Sequence, residues 1–302
     1  MTRRRVADQR RQTLSRDRLA AAHAQFAAVS PQVGRLDEAA FTEALARDAD
    51  VAVALLADLA AATDPRLRAE ARRLAGRLLP RLGRVGRPRR RGTRRLVARR
   101  AALEGDLDVD RTLDHSAGAR PRDPRDVVAR QFAAAPRSVC LLVDRSGSMS
   151  GHAVGIAAIA AAAVVHAAGD RLRCSVVAFA SEPLVLLDAR APRRVAAVVD
   201  DLLSLRGHGT TDLARVLRVA GEQLAHVPPG GRTAVLLSDC LRTAGDDPLP
   251  AAGALDRLHV LGTSREPDAV AAGTALARRG NGRWLPATSV AELAGSLQTA
   301  LA

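Results

Sequence analysis

From Arg137 to the end of the chain, short uninterrupted aliphatic runs alternate with segments of helical periodicity, and this rhythm constrains the fold more than any other feature. The spacing predicts strand Val139–Val143, helix Ala153–Ala168, strands Cys174–Phe179 and Pro183–Leu187, and helices Arg193–Leu203 and Leu213–Ala225. Strands Thr233–Ser238 and Leu258–Leu261, helix Asp268–Arg279, strand Gly282–Leu285 and helix Val290–Leu301 follow. Strands that are aliphatic at every position are buried on both faces, so helices must cover both sides of a mainly parallel sheet. The expected fold over 136–302 is therefore α/β, a doubly wound and mainly parallel sheet. Ligands of such sheets bind in the crevice beyond the carboxyl ends of the strands.

The first 80 residues read differently. Helical spacing runs from Val6 to about Val29, stops at Ser30-Pro31, and resumes from Leu36 to Ala62. Asp64-Pro65 supplies an N-cap and a proline in the first turn, and Leu67, Ala71, Leu74 and Leu78 form one apolar stripe on a helix ending near Pro80. A small α-helical N-terminal domain over 1–80 is expected. Residues 81–100 then contain ten Arg and no acid. Their like charges repel and they offer little to bury, so 81–135 is expected to be an exposed Arg-rich linker or extension.

At 302 residues and 47% hydrophobic content, the chain can bury a sizeable core, which excludes global disorder. All 46 basic residues are Arg. Residues 1–135 hold 29 Arg and 17 acids, for +12, whereas 136–302 hold 17 Arg and 15 acids, for +2. Cys140, Cys174 and Cys240 sit among aliphatic residues with no Cys-x-x-Cys spacing and are read as small core residues. The alanine-rich stretch Ala157–Ala168 is interrupted by His166 and bounded by Gly155 and Gly169. No membrane span or signal peptide is expected, and the cytoplasm is the expected location.

The strand Val139–Val143 runs into Asp144-Arg145-Ser146-Gly147-Ser148, which places a carboxylate at the strand's carboxyl edge and hydroxyls at alternate positions behind it. Gly207-His208-Gly209-Thr210-Thr211-Asp212 is a glycine-rich loop opening a helix, and Leu236-Leu237-Ser238-Asp239 ends the next long strand with a second carboxylate. All three segments fall on the ligand-binding edge. Together they resemble the metal-ion-dependent adhesion site of von Willebrand factor A (VWA) domains, whose fold is Rossmann-like. The resemblance implies that Ser146, Ser148 and Thr211 bind the metal through hydroxyls, with Asp144 and Asp239 acting mainly through ordered waters. Thr210 competes with Thr211 for the loop position. Hard oxygen donors and retained water suit Mg²⁺, with Mn²⁺ possible, and the metal's last position would take a Glu or Asp oxygen from another protein. His152 and His208 flank the loops and are read as exposed loop residues.

The order of an Arg-rich helical region, then Gly105–Leu113, then the α/β domain resembles bacterial CoxE-like VWA proteins. Asp108 and Asp110 depart from the more Arg-rich pattern of that family. The resemblance implies a non-catalytic adaptor beside a MoxR-type AAA+ ATPase, helping to remodel a client protein or load its metal cofactor. A hydrolase reading is opposed by the lack of a Gly-x-Ser-x-Gly elbow at Ser146 and of a histidine placed as its base. RNA binding through 81–100 is the alternative, since a dense basic run neutralises phosphates. That run lacks interleaved aromatic rings, so Arg89, Arg90, Arg91, Arg94 and Arg95 are assigned instead to docking on an acidic protein partner. Without a Lys the chain has no Walker-type phosphate loop, and any ATP hydrolysis belongs to a partner.

Overall fold

The computed structural model describes residues 12–83, 94–100, 105–116, 123–134, 137–146, 151–168, 172–191, 194–205, 207 and 209–302. The chain divides into two compact units: one joins residues up to Pro88 with Arg137–Ala302, and the other is Arg89–Pro136.

In the first unit the N-terminal segment folds as α1 (Arg16–Ala22), α2 (Phe26–Val29), α3 (Glu38–Arg47), α4 (Ala49–Leu59) and α5 (Pro65–Leu82). Aspartates set the breaks. Asp37, Asp48 and Asp64 each accept hydrogen bonds from the first free N–H groups of the helix that follows. Pro65 occupies the first turn of α5 as expected, but the helix passes through Pro80 and ends two residues later, at Leu82.

The second unit contains β1 (Arg94–Arg100), β2 (Asp106–Leu107), α6 (Val109–His115) and β3 (Val128–Ala134). These strands form an antiparallel sheet in the order β1-β3-β2. The Arg-rich segment is therefore not all linker: Arg94 and Arg95 pair with Ala134 and Ala133 in a ladder. Arg89, Arg90 and Arg91 lie outside the described residues.

The remaining strands of the first unit are β4 (Arg137–Asp144), β5 (Leu172–Phe179), β6 (Pro183–Leu187), β7 (Arg232–Ser238), β8 (Leu258–Gly262) and β9 (Trp284–Pro286). They form a six-stranded sheet ordered β6-β5-β4-β7-β8-β9, with β6 antiparallel and the other pairs parallel. The expected α/β architecture is present. Helices α7 (Gly151–Ala167), α8 (Val195–Ser204) and α12 (Val290–Leu301) pack with Leu141 and Val143 on one face of the sheet. Helices α9 (Leu213–Leu224), α10 (Leu249–Gly253) and α11 (Pro267–Arg279) pack with Cys140 and Leu142 on the other. The chain moves outward from β4 to β5 and β6, then returns to place β7 on the opposite side of β4, so the order reverses between β4 and β7.

Helix α7 explains why the N-terminal helices do not form a domain of their own. Val154 to Val165 are buried without interruption, so the helix has no polar side to leave in water. The sheet covers one side and α4 and α5 contribute to covering the rest, within a single apolar core that also takes in Leu55, Leu56, Leu74 and Leu79. Contact is close because glycine faces α4: a Cβ at Gly155 would lie 2.3 Å from Val53 Cγ1 and 3.1 Å from the Val53 carbonyl oxygen. Asp50 secures the same junction, its Oδ1 accepting from the Val290 N–H at 2.8 Å and lying 3.0 Å from His152 Nε2. His152 therefore stands in the first turn of α7 with a carboxylate partner instead of in an exposed loop. His208 lies outside the described residues.

Replacing Gly155 by Leu should force α4 and α7 apart and destabilise the first unit by about 1–3 kcal/mol. Urea unfolding followed by circular dichroism should show the N-terminal helices and the sheet lost in one transition at a lower midpoint. Two separated transitions in the wild type would show that the helices fold independently.

Candidate functional site

The candidate site lies at the carboxyl edge of the sheet, where β4 and β7 part. Parallel register pairs Val143 with Leu237, which brings Asp144 beside Ser238 at the next step. The two side chains meet there: Ser238 Oγ donates to Asp144 Oδ2 at 2.5 Å, and the Ser146 backbone N–H donates to Asp144 Oδ1 at 2.8 Å. Ser238 Oγ also accepts from the Cys240 N–H at 2.9 Å. One hydroxyl thus ties the end of β4 to the turn after β7. Cys240 sits in the left-handed region at φ 61°, which bends the chain sharply away after Asp239. The Asp239 carboxylate accepts from the Leu241 N–H at 3.0 Å.

The third loop is joined by its backbone. The Arg145 N–H donates to the Phe179 carbonyl at 2.8 Å, and the Asp212 N–H to the next carbonyl, Ala180, at 3.1 Å. Thr211 donates its N–H to Thr243 Oγ1 at 2.8 Å and accepts from the N–H groups of Thr243 and Ala244. Asp212 caps α9 by accepting from the Arg215 N–H, and its carboxylate fills the space a Cβ at Gly245 would need, 2.4 Å away. Gly245 has φ 82°, so both space and backbone conformation call for glycine there.

Asp144, Ser146 and Thr211 are buried and Asp239 is half-buried, whereas Thr210 is exposed. Ser148 lies outside the described residues. Burial pushes the Asp144 carboxyl above the ordinary carboxylate range. The hydrogen bonds from Ser238 and Ser146 oppose that shift, and the Asp239 charge adds a smaller upward push. Desolvation is thus the main cause and Asp144–Asp239 repulsion a minor one. Arg145, also buried, has its guanidinium pKa lowered by desolvation, against which the Asp144 charge acts. Ser238 and Arg145 were missed in the sequence. Ser238 could have been found by counting register along β4 and β7; Arg145 occupies a variable position of the loop motif and carries no such signal.

The donor set fits a hard divalent cation. Neutral hydroxyls and carboxylates gather beside a desolvated Asp144, and a nearby positive charge would offset the cost of burying it. Among the described residues no cluster of three or more His, Cys, Asp or Glu could hold a metal. The three cysteines are buried, and burial pushes the Cys140 and Cys240 thiols up to about 12, so they act as core residues.

Residues 139–241 match the family model of the von Willebrand factor type A domain, a segment that holds most of β4, all of β7, and Asp144, Thr211 and Asp239. No curated protein matches the chain. Among solved structures, an aerotolerance-related membrane protein from Bacteroides fragilis is similar at 15% identity and TM-score 0.45, over 55% of this chain and 98% of that one. A von Willebrand factor type A protein from Catenulispora acidiphila is similar at 20% identity and TM-score 0.45, over 57% of this chain and 43% of that one. The manganese-loaded Plasmodium vivax TRAP protein is similar at 17% identity and TM-score 0.45, over 55% and 74%. The sheet order is that of a doubly wound α/β domain, and residues 139–241 of it are similar to the von Willebrand factor type A family. No described helix is long and apolar enough to cross a membrane.

A raised native pKa at Asp144 has a definite consequence for apo stability. The unfolded carboxyl ionises near 3.8 and the folded one higher, so the native state binds the extra proton between those values and loses stability as pH rises through that window. Thermal unfolding in EDTA should show this fall in the wild type and a flatter profile in Asp144→Asn. Ser238→Ala, which removes the donor to Asp144, should steepen it and destabilise the domain by about 1–3 kcal/mol at neutral pH.

Proposed function

We propose that this protein is a non-catalytic, divalent-cation-dependent protein-binding module whose VWA-type domain captures an acidic side chain from a partner. The observation that carries this reading is the convergence of Asp144, Ser146, Thr211 and Asp239 on the edge where the strand order reverses, where ligands of doubly wound sheets bind. In this reading Ser146, Ser148 and Thr211 offer hydroxyl oxygens to the ion, and Asp144 and Asp239 supply negative charge behind it. Thr211 is preferred over Thr210 because it is buried and held through both its N–H and its carbonyl, whereas Thr210 is exposed. Mg²⁺ is the proposed ion, with Mn²⁺ as its substitute; bound there, it would supply an electrophilic position for a carboxylate oxygen.

The local hydrogen bonds support a binding role over a hydrolytic one. Asp144 is committed as an acceptor to both Ser238 and the Ser146 backbone, and Ser238 spends its proton on Asp144. Ser238 Oγ also accepts from the Cys240 N–H, so its lone pair is tied into the junction of the two strand ends and is poorly placed for attack on a substrate. The finer role follows the CoxE-like resemblance: an adaptor beside a MoxR-type AAA+ ATPase that acts on a client protein, with the ATPase providing all nucleotide hydrolysis.

Calorimetry should show uptake of one Mg²⁺ or Mn²⁺ by the wild type and none by Asp144→Ala/Ser146→Ala. Excess Mg²⁺ should raise the unfolding temperature of the wild type but not of Asp239→Asn, because only a ligand of the native state stabilises it by mass action. A pull-down with Mg²⁺ should retain an AAA+ ATPase that EDTA releases. Equal metal uptake by the double variant would sink the site, and capture that persists in EDTA would remove the metal from the mechanism.

A further inference from the structure

The 89–136 unit spends its side chains oddly. The chain has four Phe, one Trp and no Tyr. Phe26, Phe41 and Phe179 are at most 2% exposed, but Phe132, in the middle of the three-stranded sheet, is 65% exposed. Directly across the ladder from it is Leu96, 47% exposed. Facing pairs lie on one side of a sheet, so Phe132 and Leu96 make an apolar platform on an open face. β1 reads Arg-Arg-Leu-Val-Ala-Arg-Arg, with no acid; Arg100, at even spacing from Leu96, is exposed, and one acid, Asp106, lies across from Arg130 on the same face. Arg130 shares the Phe132 face at alternate spacing on β3, with its side chain half exposed and its Nε held by the buried Asp108 at 2.8 Å. That bond holds the Asp108 carboxyl below the usual carboxylate range and fixes the arginine beside the platform.

We propose that this sheet face binds single-stranded nucleic acid, with Phe132 and Leu96 as the platform for an unpaired base and Arg100 and Arg130 among the cations that meet the phosphates. An acidic protein surface would satisfy the arginines and leave the ring in water. A nucleotide answers both features at once, because its base covers the ring while its phosphate meets a cation. Absence of an aromatic ring was the reason to assign Arg89–Arg95 to a protein partner, and strand pairing supplies the ring from 36 positions beyond Leu96 in the chain. The proposal is independent of the metal site.

The test is fluorescence anisotropy of the full-length protein, in EDTA, with a labelled oligouridylate of about twelve nucleotides over a range of NaCl concentrations. Phe132→Ser should weaken binding about tenfold while leaving the salt slope unchanged. Replacing Arg94, Arg95, Arg99 and Arg100 together by Gln should lower the slope by about 0.7 for each phosphate no longer neutralised. Phe132→Trp should keep the affinity and add a tryptophan emission that is quenched on binding, which reports the ring even if the serine variant folds poorly. Wild-type affinity in Phe132→Ser, or no added quenching in Phe132→Trp, overturns the proposal. So does equal binding of a duplex of the same length, and displacement by polyglutamate as effective as by oligouridylate would assign the face to an acidic protein.

Discussion

Helix α7 is the constraint on which the first unit depends. A helix on the outside of a doubly wound sheet ordinarily turns a polar side to water, and this one has alanine, valine and isoleucine all round. It is stable only if a second layer covers it. The N-terminal helices are that layer, brought close by Gly155 and tied down by Asp50. The same helix begins directly after the loop carrying Ser146 and Ser148, so the helices that bury α7 also support one wall of the candidate site. A Cβ at Gly151 would meet the Asp58 carboxylate at 2.7 Å, which places a side chain of α4 against the first residue of α7. Disturbing the N-terminal segment should therefore reach the site through packing alone.

At the site itself, structure and function draw on the same groups. Burying Asp144 costs free energy that the hydrogen bonds from Ser238 and Ser146 only partly return, and its raised pKa is the sign of that deficit. A nearby positive charge would offset that cost, which is the physical basis of the proposed cation binding. Ser238 contributes by holding the carboxylate with a proton and the Cys240 amide with a lone pair, which fixes the two strand ends relative to each other.

What could be read from the sequence depended on how local the signal was. The parallel sheet was legible because its central strands declare their double burial in short apolar runs such as Val139–Val143 and Ala234–Leu237, and Pro183–Leu187 and Val290–Leu301 have the expected bounds. Asp144 and Asp239 were legible for the same reason: each ends such a run. Strand β1 was hidden because Arg-Arg-Leu-Val-Ala-Arg-Arg carries no alternation and its partner, Val128–Ala134, lies beyond β2 and α6. The attachment of the N-terminal helices was hidden because an apolar stripe says that a helix packs, not against what. The uninterrupted apolarity of 154–165 held that information, but it was weighed only as evidence about membranes. His152 was misread because its partner, Asp50, is 102 positions away.

The two units present surfaces governed by different variables. The carboxyl edge of β4 and β7 lies in the nearly neutral half of the chain, and the binding proposed for it would be governed by a desolvated carboxylate. Desolvated charges are screened weakly, so occupancy there should follow pH and cation concentration more than ionic strength. The β1–β3 sheet belongs to the half that carries most of the net positive charge, and the nucleic-acid contact proposed there would draw on that charge. Interactions of that kind weaken steeply as salt rises and hardly respond to pH, because a guanidinium does not titrate in the working range. Salt and chelator are thus orthogonal handles: a partner released by EDTA but not by salt belongs to the edge of β4 and β7, and one released by salt but not by EDTA belongs to the β1–β3 sheet.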